Sequence, residues 1–209
     1  MIKRPSCETC LRPLKTCICK HVQSVENLVS LVILQHPLET HEAKNTGRLL
    51  HLCLKNSQIF IGEVFENNLA PLFDRHKFRD LLLYPSTPGS IVQELSTPGD
   101  DWRPNKSDIQ DSDNLKPLRL WVIDATWRKS RKMLYLNGFL QSMPRLSLDN
   151  CPSSLYTIRK AHSENQLSSL EASCYALQTL EANAVDYSPV LHAFTAFVAE
   201  QQTFLPLSK

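Results

Sequence analysis

Only five glycines occur in 209 residues, and none falls in a G-x-G-x-x-G or G-x-x-x-x-G-K-[ST] pattern. A Rossmann-type dinucleotide site, a P-loop and any nucleotide site resting on a glycine-rich turn are therefore not expected, since each needs backbone that approaches phosphate without a Cβ. No window reaches the ~18 uninterrupted apolar residues that a membrane helix requires, so no membrane partner is expected. The Met1 end is polar and cysteine-rich with no apolar signal-like run, which makes the cytoplasm (cytosol) the expected location. Net charge is only +2, so neither sign dominates and the total says almost nothing about partners.

What is present is unevenly placed. Four of the seven cysteines crowd between Cys7 and Cys19, while Cys53, Cys151 and Cys174 stand alone. In a reducing compartment, crowded thiols read as metal ligands and scattered ones as small core hydrophobes. Cys7-x2-Cys10-x6-Cys17-x-Cys19 supplies four thiolates to one short knuckle, which suits a tetrahedral structural zinc whose binding contributes folding free energy. A redox C-x2-C pair or incidental cysteines is the competing reading, weakened by the missing βαβ context. Four sulfurs leave no open position, so zinc here would be structural. Lys3, Arg4, Arg12, Lys15 and Lys20 surround the knuckle, whereas Asp100, Asp101, Asp108, Asp111 and Asp113 lie in the polar stretch 96–117, which reads as an exposed loop.

With 42% hydrophobic residues the chain can bury one core of ordinary domain size plus a small appendage. Residues 28–35, LVSLVILQ, form a near-continuous apolar run of strand length, as expected when both faces of a parallel strand are covered. Further strands are expected at 58–64, 79–84, 118–123, 144–148 (a short, edge-like one) and 155–160. Helical periodicity covers about 44–54, the segment after Trp127, 168–184 opened by the Ser168-x-x-Glu171 capping spacing, and 190–204. This alternation implies an α/β fold, a mostly parallel sheet with flanking helices. Its pivot is the stretch 118–136, LRLWVIDATWRKSRKMLYL, which passes from apolar strand to basic helix and sets Asp124 and Thr126 at a strand's carboxyl end and a helix start. Open α/β sheets place ligands there. His36, Glu39 and Arg48 are candidates for the same crevice, although a loop histidine with capping neighbours explains them equally well. Along the helix, Arg128, Arg131, Lys132 and Tyr135 share one face, with Trp127, Ser130, Met133 and Leu134 available to the sheet. That basic face is either a solvated surface or, beside a knuckle of the same charge, part of an anion-binding track.

In order along the chain, Cys7-x2-Cys10 with Arg12-Pro13 and Cys17-x-Cys19, His36-Pro37-x-Glu39, Thr46-Gly47-Arg48, Leu83-Tyr84-Pro85, Asp124-x-Thr126-Trp127 and Ser168-Ser169-Leu170-Glu171-Ala172 resemble the signature of the DTW-domain family. Ser169 stands where threonine is usual, and Ser130 where alanine is usual. The resemblance implies a SPOUT-like catalytic domain over 25–209 with a C-terminal trefoil knot, preceded by a four-cysteine zinc-binding module over 1–24. It implies transfer of the 3-amino-3-carboxypropyl group from S-adenosyl-L-methionine to N3 of a tRNA uridine, with tRNA as the nucleic-acid partner and no DNA. A methyltransferase acting on RNA with the same cosubstrate, and a non-catalytic zinc-knuckle RNA-binding module, remain alternatives.

Under that resemblance the site residues take expected roles. Asp124 is the candidate to take the N3 proton, unless it only anchors the turn. Thr126 would hold the cosubstrate carboxylate at the helix start, and Trp127 would stack on a base or on adenine, or else pack helix to sheet. His36, Thr46, Ala125, Tyr84 and Pro85 are expected around S-adenosyl-L-methionine, with Ser169 and Leu170 on the opposite wall. Arg12, Arg48, Arg128, Arg131, Lys132, Arg159 and Lys160 are the candidate phosphate contacts. Cys7, Cys10, Cys17 and Cys19 are the candidate zinc ligands.

Overall fold

The computed structural model describes residues 5–65, 69, 77–86, 92–93, 116–148 and 167–204. Its strands are β1 (Ser30–Gln35), β2 (Ser57–Ile61), β3 (Arg79–Leu83), β4 (Val92–Gln93), β5 (Leu118–Asp124) and β6 (Arg145–Leu146). They form one sheet in the order β2-β1-β5-β3-β6-β4, with every pairing parallel. The α-helices among the described residues are α1 (Gly47–Cys53), α2 (Trp127–Leu136), α3 (Gly138–Gln141), α4 (Ser169–Leu180) and α5 (Ser188–Thr203). The expected α/β sheet with flanking helices is thus present.

Side-chain alternation along the strands divides the core into two layers. Leu31 and Ile33 of β1 and Leu118, Leu120 and Val122 of β5 face α1, α4 and α5, while Val32, Leu34, Trp121 and Ile123 face the layer of Met133 and Leu140. Cys10 and Ile18 of the cysteine knuckle are buried in the first layer, so the knuckle is docked against the body of the sheet. β5 is buried along its whole length, as expected of a mostly apolar strand covered on both faces, and its one charged residue before Asp124, Arg119, is buried with it.

Because α1 follows β1 on one face and α2 follows β5 on the other, the connections diverge between these neighbouring strands. Their carboxyl ends therefore open a crevice at a topological switch point.

Two buried carboxylates fix the frame. Asp80 of β3 accepts from Arg119 Nε (2.6 Å) and Nη2 (3.0 Å) on the adjacent strand and from Trp121 Nε1 (2.7 Å). Glu181, just past α4, accepts from the amides of Leu28 (2.9 Å) and Val29 (2.8 Å) and from the Tyr187 hydroxyl (2.9 Å), tying the entry of β1 to the turn between α4 and α5.

Two expectations need correction. The strand in 144–148 is not an edge: β6 lies between β3 and β4, with Arg145 and Leu146 both buried, and the unexpected two-residue β4 forms the border. Its shortness suggests an edge, but shortness here reflects how little of the chain runs alongside the neighbouring strands. Trp127 does not pack between helix and sheet; it is 43% exposed, meeting Tyr84 edge to face at 6.0 Å between ring centres. The expected strand at 155–160, with Arg159 and Lys160, and the acidic stretch up to residue 115 lie outside the described residues.

Candidate functional site

The knuckle is built by two short turns. Leu11 N donates to Cys7 O (2.9 Å) and Cys7 N donates to Arg12 O (2.8 Å), bending the chain so tightly that Leu11 takes a φ of 62°. The four sulfurs lie within 4.8 Å of one another, with Cys7 to Cys19 and Cys10 to Cys17 both 3.7 Å apart. Tetrahedral Zn–S bonds of about 2.3 Å place neighbouring sulfurs at nearly this separation. The Cys7 thiol is lowered to about 6 by the backbone amides of Cys10 and Thr9, whereas burial pushes Cys19 up to about 12, so the four cannot all be thiolates near neutrality without a cation among them. Geometry and donor set both fit a structural metal ion at Cys7, Cys10, Cys17 and Cys19.

At the switch point lies a cleft of about 490 Å³ lined by His36, Pro37, Leu38, Glu63, Thr126, Arg128, Lys129 and Lys132. Pro37 ends β1 and opens a turn in which Leu38 N donates to His36 Nδ1 (3.1 Å). Nδ1 is thus an acceptor and the ring carries its proton on Nε2, which faces Glu63 Oε1 at 3.1 Å. Lys132 Nζ lies 3.0 Å from the same carboxylate and, with His36, holds the Glu63 carboxyl below the usual carboxylate range. Lys129 Nζ donates to the buried Glu39 (2.8 Å). Thr126 begins α2 in an extended conformation without a side-chain capping bond, so its hydroxyl and the first amides of the helix stay available to an anion.

Asp124 sits behind this cleft, 4% exposed. Its Oδ2 accepts from Asn45 Nδ2 (2.6 Å) and Gln35 Nε2 (2.9 Å), and its Oδ1 accepts no hydrogen bond among the described residues. Helix α1 starts directly against it. A Cβ added to Gly47 would fall 2.7 Å from Asp124 Cγ and 3.2 Å from Gln35 Nε2, so only glycine allows this approach. Gly47→Ala is therefore expected to cost about 1–3 kcal/mol through overpacking, read by urea denaturation; a variant as stable as the parent would mean the approach is not that close.

The next strand end contributes aromatics. The Tyr84 hydroxyl lies 3.4 Å from Ser130 Oγ, and the Arg145 guanidinium sits over the Tyr84 ring at 5.4 Å while donating to Pro85 O (3.1 Å).

The structure brings His36, Thr126, Arg128 and Lys132 into one cleft, with Asp124 behind it and Tyr84, Pro85 and Trp127 along the strand ends. Ala125 packs against the second core layer, and Thr46 is buried at the start of α1. Ser169 and Leu170 open α4, but the Leu170 side chain enters the core and leaves only backbone for a ligand. Arg131 is exposed on α2 and does not line the cleft. One arginine lies elsewhere than a phosphate contact would need: Arg12 is buried and donates to the backbone carbonyls of an irregular segment. Arg48 is half-buried on α1 and donates to Thr9 O (2.9 Å). Glu63, Gln35 and Asn45 are site residues that the sequence reading misses. Gln35 carries a usable signal, a polar residue closing an apolar strand; Glu63 carries none, since its place depends on how β2 ends.

Comparison with known proteins adds to this geometry. The DTW domain matches residues 4–202. The chain is 29% identical over 205 residues, 95% of its length, to "tRNA-uridine aminocarboxypropyltransferase 2" of Macaca fascicularis, and 28% identical over 205 residues to the mouse (Mus musculus) protein of the same name. It is 28% identical over 139 residues, 63% of its length, to "tRNA-uridine aminocarboxypropyltransferase A" of Arabidopsis thaliana, of which 51% is covered. The chain spans 64% of the length of the macaque and mouse relatives. No solved structure matches significantly.

Proposed function

Because this chain belongs to the DTW-domain family, we propose that it is a tRNA-uridine aminocarboxypropyltransferase that moves the 3-amino-3-carboxypropyl group of S-adenosyl-L-methionine to N3 of a tRNA uridine, leaving methylthioadenosine. The observation that carries this reading is convergence: His36-Pro37, Gly47, Tyr84-Pro85 and Asp124-x-Thr126-Trp127, far apart in sequence, gather where β1, β3 and β5 end. Residues 25–209 are the catalytic domain of the proposal and 1–24 its zinc module. A SPOUT-like relationship, a C-terminal trefoil knot and a cytoplasmic setting belong to the same reading, supported by the resemblance.

In the reaction, N3 forms a bond to the γ-carbon, the γ-carbon–sulfur bond breaks with its electrons going to sulfur, and the N3 proton leaves to a base. A sulfonium activates all three attached carbons, so positioning decides the product. The first amides of α2 and the Thr126 hydroxyl hold the donor's carboxylate. Tyr84 and Pro85 border its adenosine. Asp124 takes the proton on Oδ1 while Gln35 and Asn45 hold Oδ2 still. The exposed Trp127 ring offers a stacking face to an extruded uridine, and Arg128, Arg131 and Lys132 of α2 offer charge to the phosphates around it.

The test is incubation of undermodified tRNA with S-adenosyl-L-methionine labelled in either the carboxyl or the methyl group. Carboxyl label entering tRNA is the expected result. Methyl label alone would make the protein a methyltransferase, and neither label with retained tRNA binding would leave a binding module.

A further inference from the structure

A chain of polar contacts runs from the cysteine knuckle to Asp124 without passing through the cleft. Arg12, between the two cysteine pairs, reaches inward. Its Nη1 donates to Ala43 O and its Nη2 to Asn45 O, each at 2.7 Å, and its guanidinium lies 5.1 Å from the centre of the Phe197 ring of α5. The carbonyls it holds belong to the irregular approach to α1, a segment without strand or helix bonds to fix its path. Asn45 then distributes that order. Its Nδ2 donates to Asp124 Oδ2 (2.6 Å), and its Oδ1 accepts from Gln35 Nε2 (3.0 Å) and from Gly47 N (3.1 Å). In the return direction, Arg48 of α1 donates to Thr9 O inside the C-x2-C turn. Residues 43–48 are therefore held by the knuckle from both ends, and their one buried amide side chain holds Asp124.

We propose that Arg12 and Asn45 are positioning residues that carry the order of the cysteine knuckle to the carboxylate of Asp124. Neither lines the cleft. A forked guanidinium suits the task because it binds two carbonyls in one plane, and a lysine in its place reaches only one point. The knuckle would then be part of the catalytic frame, and a metal ion at its sulfurs would set the geometry of a carboxylate it never touches.

The inference rests on the transferase reading only for its kinetic arm. The experiment compares Arg12→Lys, Asn45→Ala and the double variant, each checked for full zinc content. Both single variants are expected to speed hydrogen exchange over 43–50 and to lower kcat roughly 10- to 100-fold, the effect of losing one buried charge-assisted hydrogen bond, with the KM for tRNA unchanged. The double variant is expected to lose no more than the worse single one, since both act through one chain of contacts. Additive losses, or unaltered exchange over 43–50 in either single variant, would overturn the proposal. If the parent transfers nothing, the functional reading fails, while the exchange comparison among the same variants still decides whether Arg12 and Asn45 act in series.

Discussion

Asp124→Asn is expected to lower kcat by about 10²–10⁴-fold, the range of a positioned general base, while affinity for S-adenosyl-L-methionine changes little. The substitution is informative because the site should tolerate it structurally. Gln35 Nε2 and Asn45 Nδ2 both donate to one oxygen of Asp124, and an asparagine carbonyl placed there accepts the same two bonds. The amide nitrogen then occupies the position of Oδ1, where it cannot take a proton. Single-turnover transfer of carboxyl-labelled donor, alongside calorimetric binding of the donor, separates the two roles. Transfer at the parental rate would leave Asp124 as an anchor for the start of α1, and a collapse of donor binding would mean that the carboxylate shapes the pocket rather than accepting a proton.

Asp80→Asn is expected to have the largest effect on stability, about 3–5 kcal/mol, because it leaves the Arg119 guanidinium buried without a counter-charge. The Asp80 and Arg119 side chains are 4% and 5% exposed, and Arg119 further contacts the rings of Phe78 (4.3 Å) and Trp121 (5.1 Å). For a chain of this size the loss corresponds to a fall in Tm of roughly 6–20 °C. Replacing both partners with apolar residues of similar volume is expected to cost far less, since the desolvation of two charges disappears together with their attraction. Equal losses in the single and double replacements would mean that the pair is wet or loosely held.

The same interactions mark how much can be read from sequence. The parallel α/β architecture and the turn at Asp124 are legible because β1 and β5 are mostly apolar runs of strand length and the helix after Asp124 changes period at once. The capping box is legible as well: Ser168 Oγ accepts from Glu171 N (3.2 Å) and Glu171 Oε2 from Ser168 N (2.9 Å), a motif closed within four residues. What cannot be read depends on register between distant strands. Asp80 pairs with Arg119 because β3 and β5 align those positions, and Gln35 reaches Asp124 because β1 and β5 end level. Arg12 looks like a surface cation because its neighbours in sequence are basic and polar, and the docking of the knuckle against 43–45 and the Phe197 ring of α5 buries it. The cysteine cluster is the opposite case, since all four ligands lie on one short loop.

The position of β5 also has a consequence for how the molecule comes into being. Ser30 pairs with Arg119, roughly ninety positions further along the chain, so the middle of the sheet is supplied long after its first strand leaves the ribosome. At ~5–20 residues per second, β1 waits on the order of 5–20 s for the partner that separates it from β3. During that interval β2, the first helix and β3 emerge without the strand that joins β1 to β3. The delay favours slow, long-range closure of the sheet, and the ligand crevice cannot form before residue 124 has been added, because only then are both of its strand ends in place.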